Sequence, residues 1–235
     1  MSKLSREKFP KRLSFIILTL SVIFTLSIAC PANEASSQSS PLKIAAVQTG
    51  GDQLIVIANQ SPDEIILEGY KITAQDTDYE FEFSNKGDPA TIQPFGVLRI
   101  HSASEAKTAD EDPLDIFWTD QDVWGESNVA KLISPDGEVV STYNRSNKSP
   151  LDEFAGCLTK LGVKLKTLPY CGACQDQKEL FGEATEYLVN INCQEYGDFC
   201  GKRHKYVPAW VSEGKVLEGI KSLEELAEAF NCELK

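Results

Sequence analysis

The chain has 235 residues, which is enough for about two domains. Its composition, with 42% hydrophobic and 25% charged residues, is typical of a globular protein. The formal net charge is −12, and most of the excess acidity falls within residues 42–150. This charge argues against nucleic-acid binding, because neutralising phosphates requires a basic face.

The N-terminus has the pattern of an export signal. Basic residues between Lys3 and Arg12 precede an apolar run over residues 13–29, which is short for a membrane-spanning helix of about 20 residues. The run ends in Ala29-Cys30 before a polar linker over 31–41, which resembles a bacterial lipoprotein signal with Cys30 as the acylated residue. An uncleaved N-terminal anchor and simple cleavage after Ala29 are the alternatives. All three predict an extracytoplasmic location in a prokaryote, in the periplasm or cell envelope, where disulfides persist; the first two also predict a membrane anchor.

Short apolar runs alternate with turn residues from residue 42 to 146. The runs include residues 54–57, 97–100 and 129–133, and the turns include Gly50-Gly51-Asp52 and Pro135-Asp136-Gly137. No long helical period interrupts them. Regular short strands with such turns predict an antiparallel β-sandwich.

A set of motifs occurs in a fixed order along this segment: Ile57-Ala58-Asn59, Leu67-x-Gly69-Tyr70-x-Ile72, Phe81-x-Phe83, Pro94-x-Gly96, Trp124, Asn128-Val129-Ala130-x-Leu132 and Asp136-Gly137-x-Val139-Val140. Their order resembles a lamin-tail domain, which is an immunoglobulin-like sandwich. The resemblance implies an interaction or tethering module, and it transfers no catalytic residue.

The same segment contains a group of acidic residues and one histidine. The acidic residues are Asp110, Glu111, Asp112, Asp115, Asp120 and Asp122. Several carboxylates can hold Ca²⁺, but this stretch lacks the glycine and closing glutamate of a known calcium loop. A solvated acidic face is therefore the preferred interpretation, and no metal site is predicted. His101 is interpreted as a structural or surface residue.

A pair of cysteines lies between a predicted strand and a predicted helix. Residues 163–167 alternate in polarity like a strand, and the apolar residues of 180–188 recur at helical spacing. Cys171 and Cys174 therefore fall at the first turn of the helix, where free N–H groups and the helix dipole favour a thiolate at Cys171. A thiolate attacks disulfides, and the two-residue spacing lets Cys174 resolve the mixed disulfide.

The residues that follow complete an α/β pattern. Pro208 leads into an apolar strand that ends at Val211, and a turn over 212–215 separates it from Val216-Leu217. Ser222-Leu223-Glu224-Glu225 then opens a last helix with a capping box. The order strand, CxxC, helix, strand, X-Pro, hairpin and helix is that of a thioredoxin fold.

The motifs that carry a second resemblance are Phe154-Ala155-x-Cys157-Leu158-Thr159, Cys171-x-x-Cys174-Gln175-x-Gln177-Lys178-Glu179-Leu180-Phe181-Gly182, Pro208-x-Trp210 and Ser222-Leu223-Glu224-Glu225-Leu226-Ala227. This segment resembles the glutaredoxin-like or thioredoxin-like domain that occurs alone or fused to vitamin K epoxide reductase homologues. The resemblance implies a cis Pro208 facing the CxxC, with Val207 offering its backbone to a bound peptide. The predicted substrate-binding residues are Tyr170, Val207 and Pro208. The family usually has Trp before the first cysteine and Pro-His between the pair, where this chain has Tyr170 and Gly172-Ala173. The direction of electron flow, oxidase or reductase, is therefore left open.

The remaining cysteines are assigned from this predicted fold. The chain has seven cysteines, and Cys30 is the predicted lipid attachment site. The fold favours a local Cys193–Cys200 bridge and leaves Cys157 in the first helix to pair with Cys232 at the end of the last. Two alternatives stay open. Cys193–Cys200 could be a second redox pair, or these two residues could bind zinc with Cys171 and Cys174, although their spacing exceeds that of usual zinc sites.

Taken together, the sequence predicts a multidomain protein. An export segment over 1–30 and a linker over 31–41 precede an immunoglobulin-like sandwich over 42–146 and a thioredoxin-like α/β domain over 151–235. The predicted function is thiol–disulfide exchange with protein thiols and disulfides, without a cofactor. Kinship implies partnership with a membrane oxidase of the vitamin K epoxide reductase type. The alternative from another class is a cell-envelope scaffold protein whose thioredoxin-like domain is vestigial.

Overall fold

The structure is a computed structural model that describes residues 40–75, 77–83, 90–103, 115–125, 127–201 and 206–235. The predicted export segment with Cys30, nearly all of the linker, and Asp110, Glu111 and Asp112 of the acidic stretch lie outside the described residues. The described residues form one compact unit. Among them, no helix combines the length and the apolar character needed to cross a membrane.

The N-terminal half is built from two sheets. Its strands are β1 (Leu42–Gln48), β2 (Gln53–Asn59), β3 (Ile65–Ile66), β4 (Lys71–Ala74), β5 (Glu80–Glu82), β6 (Thr91–Ile92), β7 (Val97–Ser102), β8 (Asp115–Thr119), β9 (Val129–Ile133) and β10 (Val139–Asn144). One sheet has the order β1-β2-β7-β8, the other has the order β10-β9-β4-β5, and β3 pairs with β6.

The two sheets enclose a common apolar core that includes Ile44, Ile57, Ile72, Trp124 and Leu132. Neighbouring strands in these sheets run antiparallel, except that β8 lies parallel to β7. The prediction of a strand-rich, immunoglobulin-like sandwich is confirmed for this half of the chain.

The C-terminal region is a small assembly of helices and strands. Its helices are α1 (Pro150–Lys160), α2 (Gly172–Glu179), α3 (Gly197–Cys200) and α4 (Leu223–Phe230), and its strands are β11 (Lys164–Thr167), β12 (Val189–Asn192), β13 (Ala209–Ser212) and β14 (Lys215–Glu218). The sheet order is β12-β11-β13-β14, with β11 and β12 parallel and the other neighbours antiparallel. Phe154, Phe181 and Trp210 pack together in its core.

Capping residues determine where the first and last helices of this region begin. At α1, Ser149 Oγ accepts a hydrogen bond from the Asp152 amide, the Asp152 carboxylate accepts one from the Ser149 amide, and Pro150 occupies the first turn. At α4, Ser222 and Glu225 form the capping box that the sequence predicts. Both helices therefore start where their side chains satisfy the free amide groups of the first turn.

The helix after the CxxC is shorter than the spacing of apolar residues predicts. The α-helix ends at Glu179, and a 3₁₀ helix follows over Gly182–Tyr187. Gly182 has a φ of +50°, and a left-handed residue interrupts a right-handed helix. Phe181 and Ala184 are nevertheless buried, whereas Leu180 is exposed; the prediction of one helix with Leu180 on its buried face is therefore wrong.

Strand β2 contacts both halves of the protein. One of its faces packs in the sandwich core, and the other packs against the C-terminal region. All seven of its residues are buried, as expected of a continuous apolar run rather than an alternating one. Ile55 and Ile57 belong to the large core cluster, which contains the sandwich core, whereas Leu54 and Val56 pack in a second cluster that includes Ile191 of β12. The C-terminal region thus covers the outer face of the β1-β2-β7 sheet.

Helix α1 lies directly against β1. A Cβ atom placed on Gly156 would lie 2.7 Å from the carbonyl oxygen of Ala45 and 3.1 Å from Cβ of Ala46. A second contact is aromatic: the Phe95 ring lies 5.4 Å from the Tyr196 ring and 5.0 Å from the Phe199 ring. The two halves therefore share an apolar interface rather than a flexible joint.

Candidate functional site

Cys171 and Cys174 lie at the N-terminus of α2, one short loop after β11. Cys171 is the N-cap residue, and its Sγ accepts a hydrogen bond from the backbone amide of Cys174 at 3.2 Å. The two sulfurs are bonded to each other, with 5.2 Å between the Cα atoms. The sulfur of Cys171 therefore occupies the position at which helix amide groups and the helix dipole stabilise negative charge.

The two sulfur-bearing residues differ in their access to solvent. Cys171 is half-buried, whereas Cys174 is fully buried, with 0% of its surface exposed. A large partner can therefore approach Cys171 and not Cys174. Thiol–disulfide exchange requires the attacking and attacked sulfurs to meet, so the sulfur of Cys171 is the one that such a partner could reach.

A backbone segment with a cis proline lies beside the pair. The Val207–Pro208 peptide bond is cis, and the carbonyl oxygen of Val207 lies 3.7 Å from Sγ of Cys171. Pro208 is buried and Val207 is half-buried. The structure therefore brings together Cys171, Cys174, Val207 and Pro208, which are far apart in sequence.

Two tyrosines near the pair are strongly exposed. Tyr170, which precedes Cys171, is 93% exposed, and Tyr206, which precedes Val207, is 64% exposed. The sequence analysis singled out Tyr170 but not Tyr206. The available signal was an aromatic residue just before an X-Pro pair, because exposed tyrosines are favoured where proteins contact partners.

Gln177 holds α2 in place from its buried side. Its side chain is fully buried, its Nε2 donates to the carbonyl oxygen of Lys221 at 3.1 Å, and its Oε1 accepts from the Lys221 amide at 2.7 Å. This pair of bonds ties the CxxC helix to the segment that enters α4. This role of Gln177 could not be predicted from the sequence, because a polar residue on a helix does not reveal that it will bind the backbone of a residue far along the chain.

The four other cysteines among the described residues form the two pairs that are favoured from the sequence. Cys157 of α1 is bonded to Cys232, with 5.9 Å between the Cα atoms, and Cys193 is bonded to Cys200, with 5.7 Å. The first pair fastens α1 to the chain end after α4. Across the described ranges, no group of three or more His, Cys, Asp or Glu side chains is arranged to hold a metal ion.

His101 lies in a cluster of charged and polar side chains at one edge of the sandwich. Its Nδ1 lies 2.9 Å from Asp52 Oδ1 and its Nε2 lies 3.1 Å from Asp115 Oδ1, and Arg99 donates to the same Asp115 carboxylate. Burial would raise the pKa of Asp115, but the hydrogen bonds from Arg99 and His101 outweigh it and hold that pKa below its ordinary value. His101 is thus structural, as one of the two expectations held.

Among the described residues of the acidic stretch that was considered for calcium, Asp115 and Asp122 have hydrogen-bond partners within the protein. Asp115 is bound to Arg99 and His101, and Asp122 accepts hydrogen bonds from the Gln53 side chain and the Gly125 amide, each at 2.6 Å. These two carboxylates therefore hold the fold together. Asp122 is exposed, as the prediction of a solvated acidic face requires, whereas for the half-buried Asp115 that prediction is too simple because its carboxylate is bound by Arg99 and His101.

The geometry thus describes a β-sandwich joined to a small, cysteine-rich α/β region with one partly exposed disulfide at a helix N-terminus. Comparison with protein families adds one finding: residues 35–147 match the family model of the Lamin Tail Domain. The sandwich is therefore similar to lamin-tail domains, and this part of the predicted resemblance is confirmed.

Proposed function

We propose that the protein is an exported thiol–disulfide oxidoreductase that acts on protein substrates through Cys171 and Cys174. The C-terminal region is proposed to be a thioredoxin-like domain of the kind that occurs alone or fused to vitamin K epoxide reductase homologues. Support comes from the order β11, CxxC, α2, β12, cis-proline segment, β13-β14 hairpin and α4, with the parallel pair β11–β12 at the edge of the sheet.

The observation that best supports the proposal is the difference in solvent exposure between Cys171, which lies beside Val207, and Cys174. Cys171 is accessible and lies 3.7 Å from a backbone carbonyl oxygen, while Cys174 is buried behind it. An extended substrate chain that pairs with the backbone at Val207 would bring its own sulfur to Cys171. A purely structural disulfide does not require one accessible sulfur beside a backbone carbonyl oxygen.

The chemistry follows from these positions. In the reduced protein, the Cys171 thiolate attacks one sulfur of a substrate disulfide, so that a mixed disulfide forms and the other substrate sulfur leaves as a thiolate. Cys174 loses its proton and attacks Sγ of Cys171, which releases the second substrate thiolate and closes the Cys171–Cys174 bond. The substrate gains two electrons and the protein loses two. The reverse sequence oxidises a substrate dithiol, and the relative reduction potentials set the direction.

The rest of the chain is proposed to place this chemistry outside the cytoplasm. An N-terminal export segment with a lipid on Cys30 would anchor the protein to the membrane, and the sandwich would serve as an interaction or tethering module. Three disulfides within one compact unit support an oxidising location. A quinone-linked membrane oxidase of the vitamin K epoxide reductase type is the proposed redox partner.

Trapping of mixed disulfides tests the proposal. In the full-length Cys174→Ser variant, Cys171 can form a mixed disulfide that nothing resolves, so a peptide with one disulfide is expected to accumulate on Cys171. The matched control is Cys171→Ser, which leaves only the buried sulfur and is expected to trap far less. Equal trapping by the two variants, or none by either, would refute the proposed roles and favour the scaffold function.

A further inference from the structure

A polar cavity lies where the sandwich meets the C-terminal region, away from the elements that carry the CxxC. It has a volume of about 460 Å³, which falls in the usual range for small-molecule sites, roughly 300–1,000 Å³. Gln48 and Tyr143 line it from the sandwich, Cys157 and Lys160 line it from α1, and Arg145 lines it from the segment between the two halves. We call this space the junction cavity.

The junction cavity is rich in positive charge for so acidic a protein. Its walls carry Arg145, Lys148, Lys160 and Lys235 against Glu153 and Glu233, although the whole chain has a net charge of −12. Lys235 is paired with Glu153 at 2.9 Å. The cavity therefore has more positive than negative side chains in its lining. A low-dielectric cleft lined by charges of one sign concentrates ions of the opposite sign.

Three of these cations have neutral partners in the part of the chain that the structure describes. Lys160 Nζ donates to Gln48 Oε1 at 2.9 Å, and Lys148 Nζ contacts the Tyr187 hydroxyl and lies 5.0 Å from the centre of the Tyr143 ring. Arg145 Nη1 donates to the carbonyl oxygens of Trp124 and Ser127. None of the three has a carboxylate of a described residue within 4.0 Å.

The donors that remain available suit oxygen anions. Arg145 uses only Nη1 in the hydrogen bonds to described residues, so the Nη2 and Nε edge of its planar group can bind a carboxylate or phosphate with two parallel bonds. Burial lowers the pKa of Lys160, although Asp52 acts against it at longer range; this ammonium has therefore lost part of its water. A bound anion would replace that water.

We propose that the junction cavity binds a small molecule with two or more carboxylate or phosphate groups, held by Arg145, Lys148 and Lys160. Because Lys160 belongs to α1 and Gln48 and Tyr143 belong to the sandwich, the bound molecule contacts both halves of the protein. This site is separate from the proposed redox chemistry and does not depend on Cys171 or Cys174.

Titration calorimetry on the full-length protein at low ionic strength tests the proposal, with citrate as the carboxylate probe and pyrophosphate as the phosphate probe. Saturable binding of either probe is expected, and the probe that binds identifies the anionic group. Lys160→Gln is expected to weaken binding about tenfold or more, because it removes one charge-assisted contact, and Lys160→Arg is expected to restore most of it. Lys71→Gln is the matched control, because Lys71 does not line the cavity and pairs with Glu80 and Glu82 of strand β5.

A second measurement locates the bound molecule. Cys157 lines the cavity while its partner Cys232 is buried, so a saturating probe is expected to slow the reduction of Cys157–Cys232 and leave the rate at Cys193–Cys200 unchanged. The proposal is overturned if neither probe binds, if Lys160→Gln and Lys71→Gln bind alike, or if both disulfides respond equally. The Cys171→Ser variant should bind as the parent does, which separates this result from the redox proposal.

Discussion

Gly156→Ala is predicted to destabilise the protein, although alanine is normally the better helix residue. Alanine in place of glycine inside a helix gains about 1 kcal/mol. Here its Cβ would lie 2.7 Å from the carbonyl oxygen of Ala45 and 3.1 Å from Cβ of Ala46. The first distance is well inside van der Waals contact and involves backbone, which cannot swing aside. Helix α1 or strand β1 must therefore shift.

The net effect follows from the two opposing contributions. Overpacking of this kind costs roughly 1–3 kcal/mol, so after the helix gain the free energy of unfolding is expected to fall by about 1 kcal/mol. Urea or guanidinium unfolding of the oxidised protein measures it. Gly197→Ala is the control, because a Cβ there meets nothing within 4 Å, and it is expected to cost little. If Gly156→Ala is as stable as the parent or more so, α1 does not lie against β1.

Three further predictions concern the disulfide frame and two titrating residues. Replacing both Cys157 and Cys232 with alanine should lower the free energy of unfolding by about 4 kcal/mol in the chain-entropy treatment of a loop of 75 residues; a loss well below that, measured with denaturant, would mean that the pair adds little. Burial raises the pKa of Tyr143 to about 12, so the folded state keeps a proton that the unfolded state loses from about pH 10. Stability should fall between these values, and Tyr143→Phe should reduce the fall; equal slopes would contradict this. Asp115→Asn should cost about 1–2 kcal/mol at pH 7, and it should remove the part of the acid sensitivity that appears below about pH 4; unchanged acid unfolding would refute the Asp115 cluster.

Much of the fold is predictable because it is encoded locally. Turn residues, short apolar runs and the Ser222–Glu225 capping box lie within a few positions of the structure that they determine. The CxxC pair and the X-Pro strand are equally local. Their positions could therefore be predicted before the structure, whereas the helix end at Glu179 could not, because a glycine at position 182 does not reveal the sign of its φ.

The contacts between the two halves are the part that the sequence did not predict. The continuous apolar run of β2 indicates burial on both faces, but nothing in it identifies β12 and the Cys193–Cys200 segment as the covering layer. The same holds for Gln177 with Lys221 and for His101 with its two carboxylates. Each of these depends on residues far apart in the chain that only the folded backbone brings together.

The reduction potential of Cys171–Cys174 in the full-length protein is the most direct test of the proposed thiol–disulfide exchange. The oxidised and reduced forms would be equilibrated with glutathione and dithiothreitol buffers, and the thiols would be counted by mass spectrometry after alkylation. We expect ready exchange and a potential between about −270 mV, as in thioredoxin, and about −120 mV, as in strong periplasmic oxidants, while the other two pairs stay oxidised. A pair that does not exchange, or a potential below about −300 mV as in structural disulfides, would contradict the proposed activity.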